Sequence, residues 1–554
     1  MASEPSLLHK TIPDVARDAA EQWPDGVALR YHGESITFAQ QYQRACALAK
    51  GLSNLGIGPG DHVATLIGGR PEWFYLSYAI SLLGAVIVPI NVTFRRQELE
   101  HVLRCADVKA LVTMDEFRDV DYLALFSELL PERVAAAPGF LHSQRFPHLK
   151  TVVTLSPAGS THDGCFDFND VMRSGAHVRP QEVEAWFARL SPSAPSYILF
   201  TSGSTAFPKP ALRSHGSNVA IAGHLYQSTF RMKPGDRQLG MSPFYHVGGC
   251  IYTTLGNALF GATTVLMDYF EAGHALKLIR EEGITCMGGF DTHYRAMSAH
   301  PDFADTDVSG VDRIMLACGP EWYDKVRELG FGHTSVTHHY GFTEGTSVAV
   351  PPEENDEVVR KNSNGRPFPG CEVKIVNPET GRECAADEPG EICVRGWSLF
   401  LGYYKMPKQT AESMDDEGFF HTGDYGWKDA GGNVYYRGRF KQMVKTGGEN
   451  VSQREVEMFL EQHPHIATVQ VVGVPDDRWG EAVTAVVETH PGKDLELETL
   501  KAFCKERIAG FKIPKHLVAV TREEWPITLT GKFDKPALRT LAMDKLGLNT
   551  GAAS

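Results

Sequence analysis

Between Thr201 and Pro210 the chain reads TSGSTAFPKP. Thr201, Ser202, Gly203, Ser204 and Thr205 supply hydroxyls and backbone N–H groups, and Lys209 adds a positive charge, the donors that phosphate oxygens need. The spacing is not that of a Walker loop, which sets aside an ordinary P-loop kinase or ATPase. A plain polar loop would carry the same residue types, so the stretch decides nothing alone. Four others extend the chemistry. In HHYGFTEGT the Thr343 hydroxyl stands beside the Glu344 carboxylate, a pair suited to a phosphate and its magnesium ion. Asp424 in FFHTGDYG has a carboxylate that can accept both hydroxyls of a ribose. Arg439 is the second arginine of RGRFKQMVKTGGENVS, ahead of the flexible pair Gly447 and Gly448. Lys532 follows a glycine-containing turn in PITLTGKFDK. An isolated TGD or TGK is more often a turn. The order and separation of all five is specific.

These residues need elements to position them. SYILF reads as a strand ending at the phosphate stretch, and SHGSNVAIAGHLY as a helix with Ser and Asn near its start. Short apolar runs (HVATLIG, ALVTM, TVVTL, TTVLM) alternate with helix-like stretches, which predicts α/β architecture with largely parallel strands. From about Gly381 the texture turns to Gly-rich turns and short strands, such as GEICVRG and NVYYRGR. After Arg439 a compact helix–strand–strand–helix–strand pattern predicts a separate small α+β domain. The expected division is 1–438, a hinge at 439–441, and 442–554. A chain of 554 residues is too long for one ordinary core, which agrees.

Composition excludes several classes. A net charge of −14 argues against a general nucleic-acid or acidic-membrane binder. Ten cysteines without a CxxC pair or zinc spacing read as reduced thiols of a cytoplasmic protein, and the first residues lack a signal-peptide pattern. From Trp73 to Phe94 no residue is charged, about the length of a membrane span. Ser77, Ser81, Gly84, Pro89 and Asn91 interrupt it, so a helix to about Leu83 followed by a strand through Val86–Val88 is expected instead.

Together these stretches resemble the adenylate-forming superfamily of acyl- and aryl-CoA synthetases, peptide-synthetase adenylation domains and beetle luciferases, over nearly the whole chain. The resemblance implies a large N-terminal multi-subdomain α/β domain, a small mobile C-terminal α+β domain and an active site between them. It implies that a carboxylic acid and ATP give an acyl-adenylate (acyl-AMP), that the small domain rotates, and that a thiol, usually of CoA, displaces AMP. By the same resemblance, Thr201 to Lys209 form the phosphate loop, Thr343 holds the α-phosphate and Glu344 is the Mg2+ ligand. Tyr340 and Gly341 pack near adenine, with Gly319 and Pro320 below it. Asp424 and Arg439 bind ribose, and Lys441 falls at the hinge. Lys532 stabilises charge as the carboxylate attacks. His246 shapes or gates the acyl pocket, to which Tyr245, Val247, Gly248, Gly288, Gly289 and Asp291 also belong, with His293 as a further polar group. Lys445, Gly447, Gly448 and Glu449 line the CoA tunnel. His246 and Tyr340 also read as plain packing residues. Gly288 and Gly289 suggest room for a bulky acid, or serve the backbone.

The phosphate loop departs from the superfamily's S-G-[ST]-T-G-x-P-K-G, having Ala206 and Pro210 in place of glycines. Proline has no N–H, and alanine disfavours positive φ by roughly 1–2 kcal/mol. A hydrogen bond to a charged group contributes about 1.5–3 kcal/mol. If both positions touch the β- and γ-phosphates, adenylation slows by roughly a hundredfold to several thousandfold. The expectation is an acyl-CoA synthetase whose adenylation half-reaction is impaired or absent, converting acyl-AMP, supplied by an upstream adenylating enzyme, to acyl-CoA. Retention of Lys532 pulls the other way. The alternatives are a complete ATP-dependent ligase, an enzyme loading a carrier protein, and an AMP-binding pseudoenzyme. Tyr245-His246 stands where amino-acid-activating members carry Phe-Asp, which favours an acid without an α-amino group.

Overall fold

The computed structural model describes residues 6–157, 160, 162–201, 208–317, 320, 322–351, 356–440, 443–446, 449–476, 478–505, 507–508, 510–528 and 532–548, with only the backbone at 445, 449 and 450. Two compact units emerge, Met1–Glu372 with Val394–Phe420, and Val373–Cys393 with His421–Ser554. Lys441 of the expected hinge lies outside the described residues.

The first unit is built on two sheets. One has eight strands, in the order Gly402–Tyr403, Pro210–Ser214, Pro195–Phe200, Val86–Pro89, His62–Leu66, Ala110–Met114, Thr151–Leu155 and Phe166–Asp167. It is parallel from Pro195–Phe200 onward and antiparallel at its other end. The second has seven strands, six of them consecutive and parallel from Ser335–His338 through Thr263–Leu266 to Val27–Tyr31. Strands such as Ala110–Met114 and Thr151–Leu155 are buried at every position, which is why they read as continuous apolar runs rather than alternating ones. The uncharged run folds as expected: the helix Pro71–Leu82 stops, Gly84 takes a φ of 69°, and the strand Val86–Pro89 follows. Among the described residues no helix is long and apolar enough to cross a membrane.

One expectation is corrected. The phosphate stretch does not lead from strand to helix. Pro210–Ser214 forms a strand, antiparallel to Pro195–Phe200 on one side and to Gly402–Tyr403 on the other. The helix His215–Phe230 begins only after it, with the Ser214 hydroxyl accepting the Ser217 N–H at 3.3 Å. Proline is tolerated at the head of this strand because the first residue of a strand can lack a ladder donor.

The second unit has a four-stranded sheet, Cys371–Val376, Gly390–Gly396, Phe420–Lys428 and Val434–Arg439, and a five-stranded one around the hairpin Ile466–Asp476 and Gly480–Thr489. Successive residues of Ile466–Asp476 face opposite ways. Val469 and Val471 pack with Leu460 and Leu500 of two helices, whereas Val472 and Val474 pack with Leu538 of the helix Lys535–Lys545. The small α+β unit therefore has a core on each sheet face.

Candidate active site

The ends of the phosphate stretch are clamped together. Thr201 N donates to the Lys209 carbonyl at 3.0 Å, and Lys209 N to Thr201 Oγ1 at 3.3 Å. Ser202, Gly203, Ser204, Thr205 and Ala206 lie outside the described residues. Lys209 Nζ sits 4.9 Å from the ring centre of Tyr403, within cation–π range. The Tyr403 hydroxyl in turn donates to Glu344 Oε1 at 2.5 Å. One phenol thus links the loop's cation to the carboxylate expected to hold magnesium.

Glu344 belongs to a loop whose neck is tied by Tyr340 N to the Ala349 carbonyl, 3.0 Å, and Val348 N to the Tyr340 carbonyl, 2.9 Å. Tyr340 is buried, and Thr343 and Glu344 are half-buried. A side chain at Gly341 would place Cβ 1.8 Å from the Thr346 carbonyl oxygen, so only glycine fits that turn. The Glu344 carbonyl accepts from Arg213 Nη1 at 2.8 Å and from Phe400 N at 2.7 Å. Arg213 is fully buried. Its guanidinium also donates to the Ser398 carbonyl (3.0 Å), Asn218 Oδ1 (3.1 Å) and Ser217 Oγ (2.9 Å). These partners are neutral, and burial pulls its pKa down to about 10. Arg213 and Tyr403 were missed in the sequence. Their partners lie far along the chain, and no local spacing marks them.

In the second unit, Asp424 and Arg439 face each other as register partners in the antiparallel hairpin Phe420–Lys428 and Val434–Arg439. Arg439 Nε lies 3.0 Å from Asp424 Oδ1, with the carboxylate side chain 3% exposed and the arginine 46%. The pair expected at a ribose is therefore preassembled by strand register. Thr422 Oγ1 accepts the Asp424 N–H at 3.0 Å.

The profile of the family described as AMP-binding enzyme matches residues 16–404, and that of the AMP-binding enzyme C-terminal domain matches 455–532. The chain belongs to the AMP-binding, adenylate-forming enzyme family. YngI of Bacillus subtilis (strain 168), whose name assigns it provisionally to the acyl-CoA synthetases, is 34% identical over 550 residues, covering 98% of this chain and 99% of that protein. The human mitochondrial medium-chain acyl-CoA ligase ACSF2 is 33% identical over 545 residues, 96% of this chain and 88% of that protein. The ATP-bound crystal structure of MatB from Rhodopseudomonas palustris superposes with a TM-score of 0.77 at 26% identity, covering 96% of this chain and 99% of that one. The family's acyl-CoA synthetases are thus this chain's relatives over nearly its full length.

The family's other expected positions are distributed as follows. Pro320 precedes the helix Trp322–Glu328 and accepts the Tyr323 N–H at 3.1 Å, while Gly319 lies outside the described residues. Lys532 closes a hairpin in which Thr528 N donates to its carbonyl at 2.6 Å and Lys532 N donates to Thr528 Oγ1 at 3.1 Å. Lys445 and Glu449 lie on paired strands, Met443–Thr446 and Glu449–Ser452, and Gly447 and Gly448 are outside the described residues. The His246 carbonyl accepts from Gly249 N and Cys250 N at 3.0 and 2.9 Å, at the start of the helical segment Gly248–Thr253, just after Val247. Its ring lies 4.7 Å from that of Tyr245, whose hydroxyl is pushed up to about 12 by burial.

The glycines of the expected acyl pocket leave less room than anticipated. A Cβ at Gly288 would meet Met315 Cε at 3.1 Å, and one at Gly289 would meet His293 Nδ1 at 3.0 Å. The missing side chains make space for neighbours in the fold. Asp291 pairs with Arg295 one helical turn on, 3.6 Å. His293 Nδ1 accepts the Phe290 N–H at 3.2 Å, and burial holds its pKa down to about 4.

Proposed function

We propose that this enzyme is a complete ATP-dependent acyl-CoA ligase. The carboxylate oxygen of an acid attacks the α-phosphorus of ATP and pyrophosphate leaves. The sulfur of CoA, after losing its proton, then attacks the acyl carbon and AMP leaves. The observation that carries this reading is the series Lys209–Tyr403–Glu344, in which one phenol has a phosphate-loop cation over its ring and donates its hydroxyl to a carboxylate. Such a pairing serves the triphosphate of ATP, and the second half-reaction has no use for it.

Glu344 is the residue that would hold Mg2+: Oε1 is engaged by Tyr403, which leaves Oε2 outside that bond as a hard oxygen donor. The ion supplies charge neutralisation for the leaving pyrophosphate. In this reading Thr343 donates to the α-phosphate, Asp424 accepts the ribose hydroxyls with Arg439 holding its orientation, and Lys532 neutralises charge at the attacked phosphate. Rotation of the small domain about the segment 439–441 would exchange Lys532 for the Lys445–Glu449 turn, consistent with both lying on hairpins of the same small unit.

Pro210 gives no reason to withdraw the ATP step. Its carbonyl accepts the Tyr404 N–H at 2.8 Å. In an antiparallel strand a residue's nitrogen and carbonyl point to the same side, so the N–H that proline lacks would face Tyr404. Ala206 alone favours the second reading, an enzyme confined to acyl-AMP plus CoA and fed by an upstream adenylating enzyme. Two assays over one acid panel separate them, with medium-chain acids first because the human relative is named for them. One supplies acid, ATP, magnesium and CoA, and the other the preformed acyl-adenylate and CoA. Thioester from both is the expected result. Thioester from the adenylate alone overturns the proposal in favour of the second reading.

A further inference from the structure

Apart from the residues above, Glu391, Cys393 and His421 bring a carboxylate oxygen, a thiol sulfur and an imidazole nitrogen within 4.8 Å of one another. Glu391 and Cys393 are two apart on the strand Gly390–Gly396, so they share a face, and His421 stands on the neighbouring strand Phe420–Lys428. His421 Nδ1 lies 2.8 Å from Glu391 Oε2 and 3.5 Å from Cys393 Sγ. Both contacts fall on the same ring nitrogen. A neutral Nδ1 either donates its proton to the carboxylate or accepts the proton of the thiol, and it cannot do both. That excludes a nucleophile relay, which needs the carboxylate on one ring nitrogen and the thiol on the other.

The Cys393 thiol also lies 3.9 Å from the Glu391 carbonyl, which can take its proton while the three groups are metal-free. With a cation bound, thiolate, carboxylate and ring nitrogen can all direct lone pairs at one point. Zinc–sulfur and zinc–nitrogen bonds of about 2.3 and 2.05 Å at a tetrahedral angle separate the two donors by about 3.6 Å, close to the 3.5 Å seen here. The carboxylate would need to retreat by about 0.6 Å to reach the same geometry. Its other oxygen is already held by the Gly423 N–H at 2.9 Å, the kind of outer contact that orients a ligand. Cys393 is fully buried, whereas the His421 side chain is 35% exposed and offers the way in.

We propose that Glu391, Cys393 and His421 form a site for one thiophilic divalent cation of the zinc class, clipping the two strands and leaving one coordination position to solvent. A thiolate beside an imidazole selects such an ion over magnesium, so this site is chemically distinct from Glu344. Binding releases the thiol proton to solvent.

The test uses the full chain, stripped by chelator and free of ATP, titrated with Co2+ and then Zn2+. The expected result is one equivalent of Co2+ bound with a thiolate-to-cobalt charge-transfer band, displaced by Zn2+. Cys393→Ser abolishes the band, and His421→Ala weakens Zn2+ binding by more than about tenfold, beyond what losing an outer contact alone begins to cost. Cys371→Ser, on the strand Cys371–Val376, changes neither. Near-ultraviolet circular dichroism checks folding, and if Cys393→Ser does not fold, the half-exposed His421→Ala carries the test. Absence of a charge-transfer band in the unaltered chain, its persistence in Cys393→Ser, or an unchanged Zn2+ affinity in His421→Ala, overturns the proposal.

Discussion

The two units hold their binding groups in different ways. In the first, the Glu344 backbone is fixed by a buried guanidinium and by the N–H of Phe400, so the same contacts that place the carboxylate also join distant segments of the core. In the second, Asp424 and Arg439 are placed by hairpin register, and their ion pair is half open to solvent. Support and function are fused in one unit and separable in the other. Arg213→Met is therefore expected to cost about 3–5 kcal/mol of stability, because it leaves the Ser398 carbonyl and the Ser217 and Asn218 side chains without this donor and the Glu344 carbonyl with Phe400 N–H in its place. Asp424→Asn should cost no more than about 1 kcal/mol, since its partner is half exposed, while lowering kcat/KM for ATP by about a hundredfold. Urea unfolding and pyrophosphate release measured on both variants test the contrast. A stable Arg213→Met chain would break it.

Acid sharpens the same comparison. Burial holds the His215 pKa down to about 4, only partly opposed by Asp14, and His293 down to about 4 against a partial pull from Asp291. Both imidazoles are neutral in the folded chain and take up a proton on unfolding below their ordinary 6.5. The stability they contribute is complete above pH 6.5 and is lost as pH falls toward 4, by up to about 3 kcal/mol for each. His215→Gln should flatten one share of that slope in unfolding curves taken between pH 7 and 4.5. An unchanged slope would mean that the His215 ring is not dry.

Tyr403→Phe is a smaller perturbation. It removes the hydroxyl that donates to Glu344 and keeps the ring beneath Lys209. A hydrogen bond to a charged group contributes about 1.5–3 kcal/mol, so kcat/KM for ATP should fall by about ten- to a hundredfold. Thioester formation from preformed acyl-adenylate should not change. Equal loss in both assays would show that Tyr403 supports the fold of the loop and not the ATP step.

What the sequence made legible was local. Apolar runs became strands, the Trp73–Phe94 stretch broke where Gly84 permits, and Asp424 and Arg439 proved to be neighbours because a hairpin joins them within sixteen positions. Contacts that cross the chain were not legible. Arg213 meets Glu344 over 131 residues and Ser398 over 185, and Tyr403 meets Glu344 over 59. The Pro210–Ser214 strand was hidden by its leading proline and by serines that look like a helix start. For Gly288 and Gly289 both room for a bulky acid and a backbone role stayed open, because a sequence does not show that a Cβ there would meet Met315 and His293.

The smallest expected effect bears on the loop itself. Ala206 and Pro210 look alike as glycine replacements, but Pro210 sits in a strand with its carbonyl on Tyr404 N. Its φ is locked near the value an extended strand can use, and the N–H it lacks would lie on the Tyr404 side of the strand. Pro210→Gly should therefore change the rate of pyrophosphate release by less than about twofold, within the few tenths of a kcal/mol that backbone entropy contributes. If Ala206 obstructs phosphate, Ala206→Gly should raise that rate by about tenfold, the 1–2 kcal/mol of relieved backbone strain. Rapid-quench measurement of the first turnover isolates this step from thioester formation. A rise with Pro210→Gly as large as that with Ala206→Gly would place the proline against the triphosphate and undo the separation drawn here between the strand and the loop it follows.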